Sequence, residues 1–178
     1  MKIRPTSLRG VHVVVIEAIE DSRGVFGRSF CADEFRRHGL DPRVTQCSLS
    51  VSRRRGTLRG LHYQAAPHGE AKLVRCVRGA VYDVALDLRP DSPAFRKWIA
   101  VDLDAGGREA LYLPEGVAHG YQTLADDTEM VYQMSVPYHP EAARGVRWND
   151  PAFSIRWPIA DPILAERDAT YPDFDPHR

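Results

Sequence analysis

The sequence predicts an all-β barrel or sandwich carrying one or two short helices, on three observations. Turn-forming residues punctuate the chain at short intervals: Gly24, Gly56, Gly60, Gly79, Pro90 with Asp91, Gly106-Gly107, Pro114 with Gly116, and Pro137. The runs between them are short and rich in β-branched and aromatic residues, the composition of strands. Several runs alternate apolar and polar residues with period two, which buries one face of a strand and wets the other.

The elements follow in chain order. Residues 11–16 are almost evenly apolar, the pattern of a strand covered on both faces; a second subunit is one source of the second cover. Residues 32–38 read as a short helix, with Gly39 as its C-terminal cap. In residues 80–88, Ala80, Tyr82, Val84, Leu86 and Leu88 share the buried face, which sends Asp83 and Asp87 to the wet one. In residues 129–136, Met130, Tyr132, Met134 and Val136 face inward, opposed by Glu129, Gln133 and Ser135, so Tyr132 sits inside between two methionines. From Asp161 onward, Pro162, Pro172 and Pro176 break any periodicity. An irregular tail is expected there, with a turn or short helix near residues 164–167.

A length of 178 residues suits one domain spanning residues 1–178. The formal net charge of +0 removes the chain-wide positive field that nucleic-acid binding uses, so an anionic ligand must be met by local Arg and Lys. Cys31, Cys47 and Cys76 form an odd set without C-x-x-C spacing, which argues for unpaired thiols over a disulfide framework. The opening Met1-Lys2-Ile3-Arg4-Pro5 lacks the apolar run of a signal peptide. The most apolar stretch, residues 11–19, is too short to cross a bilayer and contains His12 and Glu17. These features predict a cytoplasmic protein with neither a membrane nor a nucleic acid as partner.

Two clusters carry candidate chemistry. The first is Thr57-Leu58-Arg59-Gly60-Leu61-His62-Tyr63-Gln64, where strand alternation puts His62 on one face with Leu58, Gly60 and Gln64. A lone inward His is either a satisfied core residue or a base. Lys72 follows in another strand pattern, where burial demands a partner or a use unless the side chain snorkels to solvent. The second cluster, Tyr112 to Gly120, contains Pro114-x-Gly116-x-x-His119 and resembles the second motif of cupins, whose fold is a jelly-roll barrel. Many cupins bind a metal through that His, an earlier His-x-His pair and a Glu. Here the first motif reads His62-Tyr63-Gln64, and only His68 and Glu70, in a loop-like stretch, lie nearby. The ligand count falls short of a transition-metal site unless that loop folds inward.

Without a metal, a His, a Tyr and a Lys in one barrel suit proton transfer beside a ketone. An imidazole removes the proton near neutral pH. A fixed cation steadies the enolate, and a phenol returns the proton from the opposite face. Tyr132 otherwise reads as a core aromatic whose hydroxyl finds one partner.

Matching stretches then extend across nearly the whole chain: residues 56–64, 72–76 and 81–89 with Ser92-Pro93 and Trp98, residues 113–120, 132–138 and 147–151 with Trp157-Pro158, and residues 162–168. As a set they resemble the dTDP-4-dehydrorhamnose 3,5-epimerases of deoxysugar (rhamnose-type) biosynthesis. The resemblance implies epimerisation at C3 and/or C5 of a nucleotide-linked 4-keto-6-deoxyhexose, with His62 as base, Asp168 as its orienting partner, Lys72 near the ketone oxygen and Tyr132 as acid. It places Tyr138 on the site lining, Arg59 and His119 on the diphosphate and sugar, and Arg23 on the diphosphate from the other subunit of a homodimer that exchanges N-terminal strands. It implies no metal and no redox cofactor. A sugar-binding barrel without catalysis and a metal-dependent cupin are the alternatives. The resemblance departs at the base pocket. Phe26 can stack on a base, but Arg28 stands where the family has a Glu. Gln46 is kept, whereas Ser48 replaces an amide. The catalytic positions are intact while the base-facing ones are altered.

Overall fold

A computed structural model describes residues 1–175 of the chain. Among them, thirteen strands, two short α-helices and a 3-10 turn alternate with tight loops. In order these are β1 (Lys2–Pro5), β2 (His12–Val15), β3 (Ala18–Asp21), β4 (Gly24–Gly27), α1 (Ala32–Arg37), β5 (Gln46–Ser52), β6 (Leu58–Gln64), β7 (Lys72–Arg78), β8 (Ala80–Asp87), β9 (Trp98–Asp104), β10 (Glu109–Leu113), β11 (Val117–Thr123), β12 (Thr128–Met134), β13 (Ala143–Gly145) and α2 (Glu166–Ala169). They form a six-stranded sheet of order β1-β2-β10-β7-β12-β5, a five-stranded sheet of order β13-β6-β11-β8-β9, and the separate β3–β4 ribbon. The all-β architecture expected from the turn spacing is the one found, and it is cupin-like, as the resemblance at Pro114-x-Gly116-x-x-His119 implied. No helix among the described residues is long and apolar enough to cross a membrane.

The turns sit where the turn residues are. Gly79 joins β7 to β8 at φ +75, with no room for a Cβ beside Thr128. Gly116, at φ +76, closes the Pro114-Glu115-Gly116 turn, and a left-handed φ there favours glycine. Between the sheets, Val13, Val74, Cys76, Val81, Ala85, Leu111, Leu113, Val117, Tyr121 and Met130 form the main core. Burial pushes the Cys76 thiol up to about 11, and all three cysteines are unpaired.

The two-sided cover expected for residues 11–16 is found: Val13 faces the main core, while Val14 packs with Phe35 and Leu40 behind α1. Two expectations need correction. Asp83 and Asp87 are not on a wet face; both are fully buried. The even-numbered face of β8 lies under the C-terminal segment, with Val84 and Leu86 against Val146 and Phe153. That leaves the odd face to line the barrel interior, where Asp87 is satisfied by Arg89 and Ser92. Ser135 is buried as well, and its hydroxyl accepts the backbone N–H of Ala71 at 2.9 Å. The tail is irregular in local structure but anchored. Ile163 forms a parallel bridge with Thr57, and Ile159 exchanges hydrogen bonds with the side chain of Gln122. The short helix begins two residues later than the start of the expected turn, as α2 at Glu166. Pro176 lies outside the described residues.

Candidate active site

Strands of both sheets line a cavity of about 540 Å³. Of the candidate residues, it gathers Gln46, Arg59, His62, Lys72, His119, Tyr132, Tyr138 and Asp168. His62 and His119 are direct cross-strand neighbours in the five-stranded sheet. Tyr132 and Lys72 belong to the six-stranded sheet. The imidazole and the phenol therefore enter the hollow from facing walls.

Local irregularity in β6 sets this up. In a regular strand Arg59 and His62, three residues apart, would point to opposite faces. The register against β11 shifts at Gly60, so Arg59 pairs with Tyr121 while His62 pairs with His119. Both side chains then border the cavity. Gly60 is required there: its φ is +134, and a Cβ would lie 2.5 Å from the Gly120 Cα. The expectation that Gly60 and His62 share a simple alternating face gives way to this reset. Arg59 is steadied by the Ser52 hydroxyl and the Val51 carbonyl of β5.

His62 Nε2 lies 2.7 Å from Asp168 Oδ1. The other carboxylate oxygen accepts the Gly60 N–H at 3.1 Å. Burial pushes the Asp168 carboxyl up, but the hydrogen bond and charge of His62, the Gly60 N–H and Arg167 outweigh it and hold it below its ordinary value. An ionised Asp168 accepts only, so Nε2 carries the proton and Nδ1 keeps the lone pair. Tyr171 packs 6.3 Å from the His62 ring and over Gly145, where a Cβ would strike its ring.

Lys72 is nearly buried and paired. Its ammonium meets Glu70 Oε1 at 2.9 Å and the His62 carbonyl at 3.2 Å. Burial of the Lys is thus compensated. Glu70 folds inward as a partner for Lys72. His68 stacks instead on His139 at the surface, 3.7 Å between ring centres, so the residues weighed as cupin-type ligands do not converge. On the opposite side, burial first, then Tyr121 and the Asp83 charge, raise the Tyr132 hydroxyl well above its ordinary value, against a lowering by Arg59. Tyr132 is therefore held protonated. The Tyr121 hydroxyl reaches across the barrel to Ser50 at 2.9 Å. His119 contacts Asp83 through Nε2 at 2.9 and 3.0 Å and presents its ring to the Tyr132 ring. Burial raises the Asp83 carboxyl, and His119 partly offsets it.

Three candidates lie elsewhere. Arg23 and Phe26 stand on the β3–β4 ribbon, 88% and 81% exposed, with Arg23 held by Asp21. Arg28, just beyond it, pairs with Glu34. None of the three borders the cavity of its own chain. Ser48, by contrast, lines it. Gln46 accepts the Tyr138 N–H at 3.0 Å and so fixes the rim. Sequence reasoning sent Asp83 to a wet face, weighed Glu70 only as a metal ligand, and passed over Tyr121 and Tyr171. Asp83 had a readable signal, a carboxylate set among small apolar residues one strand away from a motif His. Tyr121 had one too, two residues beyond His119 on the same strand, whereas Glu70 and Tyr171 lie outside the strands.

The family profile of dTDP-4-dehydrorhamnose 3,5-epimerase matches residues 5–176. The dTDP-4-dehydrorhamnose 3,5-epimerase of Sinorhizobium fredii is 39% identical over 175 residues, covering 98% of this chain and 90% of the relative. The crystal structure of the enzyme of that name from Elizabethkingia anophelis superposes with a TM-score of 0.94 at 37% identity, covering 98% and 96% of the two chains. ChmJ, a 3'-monoepimerase from Streptomyces bikiniensis solved with dTDP-quinovose, superposes with a TM-score of 0.89 at 38% identity, covering 96% of this chain and 86% of that one. With the family's profile matched over residues 5–176 of this chain and the fold of its members reproduced, the chain belongs to the dTDP-4-dehydrorhamnose 3,5-epimerase family.

Proposed function

We propose that this chain is an epimerase acting on a nucleotide-diphosphate-linked 4-keto-6-deoxyhexose in deoxysugar biosynthesis, inverting C3, C5 or both. The observation that carries it is the placement of His62 and Tyr132 on facing sheets around one cavity, with Asp168 2.7 Å behind the imidazole. The ketone at C4 acidifies the hydrogens on C3 and C5. His62 Nδ1 takes such a proton, and Asp168 stabilises the imidazolium that forms. Lys72, fixed by Glu70 and the His62 carbonyl, holds the enolate oxygen. Tyr132 then donates its phenolic proton to the other face of the carbon, which inverts it. Solvent resets both groups. Arg59 and His119 bind the sugar and diphosphate. Tyr138 and Gln46 line the rim. No step uses a metal or a redox cofactor.

Arg23, Phe26 and Arg28 serve a partner's cavity in a homodimer. The projecting ribbon supports this, as do the exposed apolar side chains Ile19 and Phe26 on it and Leu49 and Val51 on edge strand β5. Such a set of exposed side chains marks an association surface. The three unpaired thiols support a reducing, cytoplasmic setting.

The test is incubation in heavy water with 4-keto-6-deoxyglucose linked to dTDP, UDP, CDP or GDP, followed by NMR. Deuterium should enter C3, C5 or both, with inverted product. The dTDP form should react, as the relatives' names imply, and the altered positions Arg28 and Ser48 predict that other bases are tolerated. His62→Ala should lower exchange by ~100- to 10,000-fold. Exchange that survives in His62→Ala at the wild-type rate would overturn the assignment.

A further inference from the structure

Outside the cavity, among the described residues, one group combines three metal-ligating side chains within reach of each other: His68, His139 and Glu141. Their ligand atoms all lie within 4.8 Å of one another. His139 Nδ1 is 3.1 Å from Glu141 Oε1, and His68 Nε2 is 4.0 Å from the same oxygen. Four-coordinate zinc at its usual bond lengths sets ligand atoms about 3.3 Å apart, so closure needs a movement on the order of 1 Å. The two rings stack at 3.7 Å and 20° and must splay to aim their lone pairs at one ion. Both are about one-third exposed, and Glu141 is 67% exposed, so the outer sides of the rings are open to that motion.

The backbone beneath this cluster is built. Gln64, 3% exposed, donates from its amide nitrogen to the carbonyls of His68 and Pro137 at 3.1 and 3.2 Å, and its oxygen accepts the His139 N–H at 2.6 Å. The Ala65 N–H also donates to the Ala142 carbonyl at 2.9 Å. One buried amide and a backbone bond thus hold the two ligand-bearing segments side by side before any ion arrives. Such preorganisation removes much of the ordering cost that a surface site otherwise carries. Tyr138, on the cavity rim, lies between the two anchored residues Pro137 and His139.

We propose that His68, His139 and Glu141 form a binding site for a divalent transition-metal ion of the zinc class, which ties residues 65–70 to residues 137–142 and stiffens the rim that carries Tyr138. Two imidazoles and a carboxylate are a donor set that zinc accepts, with water completing the shell. The ion sits outside the cavity and takes no part in proton transfer.

The test titrates the purified chain with Zn(II) by calorimetry at about pH 7.5, where free imidazoles are neutral, and with Co(II) by visible absorption. One ion should bind per chain, and the Co(II) bands should report a four- or five-coordinate site. Losing an outer-shell partner already costs ~10- to 100-fold in affinity, so His68→Ala, His139→Ala and Glu141→Gln should each cost at least that range. Cys47→Ser, which removes an exposed competing ligand, should change nothing. Bound zinc should also slow hydrogen exchange in residues 65–70 and 137–142, and circular dichroism confirms that the variants fold. Absence of binding at millimolar zinc would overturn the proposal. So would affinity unchanged in the His68→Ala and His139→Ala variants, which would place the ion elsewhere.

Discussion

At the scale of single residues, the site turns on which nitrogen of His62 holds a proton. The Gly60 N–H occupies one oxygen of Asp168, and a backbone donor cannot turn away. In Asp168→Asn the amide oxygen stays on that N–H, and the amide NH2 faces Nε2. The imidazole then protonates at Nδ1, the nitrogen that accepts from substrate in the proposed mechanism. Asp168→Asn should therefore cut kcat by ~100-fold or more with KM little changed. The same pair predicts a pH signature. A carboxyl held below its ordinary value of 3.8 stabilises the fold fully above that value, and the contribution is lost as pH falls through the lower folded value. Thermal midpoints of wild type and Asp168→Asn should differ at neutral pH and converge on acidification below 3.8; a gap unchanged with pH would show that the pair carries no such linkage. His62, Lys72 and Tyr132 were legible as residue types in strands. Their partners were less so, because Glu70 arrives from a loop and Asp168 from a segment more than a hundred residues along the chain. Only the family resemblance pointed to Asp168.

At the scale of elements, period-two alternation placed β8 and β12 correctly but misjudged what covers each face. A strand buried on one side by a sheet and on the other by a C-terminal segment has no wet face, so its carboxylates must find partners inside. Asp83 and Asp87 do so with His119 and with Arg89 and Ser92. Alternation also fails at Gly60, where the register reset turns Arg59 and His62 into the same hollow. Gly60→Ala should test this element. A side chain at φ +134 costs about 1–3 kcal/mol in backbone conformation alone, and the new Cβ drives into Gly120. Urea denaturation should show at least that loss, with turnover falling further because the two side chains fall out of phase. A variant of wild-type stability and activity would mean that the strand resets by other means.

At the scale of the whole molecule, every catalytic candidate comes from one chain, while the β3–β4 ribbon places Arg23 and Phe26 away from that chain's cavity. If the ribbon serves a partner, co-expressed His62→Ala and Arg23→Ala subunits should form mixed dimers in which one site has neither defect. Activity should then rise well above that of either variant alone. No recovery on mixing, with dimers present by sedimentation, would confine the ribbon to another role. The barrel itself was readable from turn spacing and alternation, since these are local signals. The ribbon's isolation was not, because nothing local distinguishes a hairpin that joins a sheet from one that leaves it.

The central claim is that an imidazole and a phenol reach opposite faces of one carbon, and it is tested most directly by the ratio of solvent exchange to inversion in Tyr132→Phe. With the base intact and the far-side acid removed, proton abstraction and return on the His62 face should continue in heavy water, so deuterium enters while inverted product falls by ~100-fold or more. Equal loss of exchange and inversion in Tyr132→Phe would contradict the account.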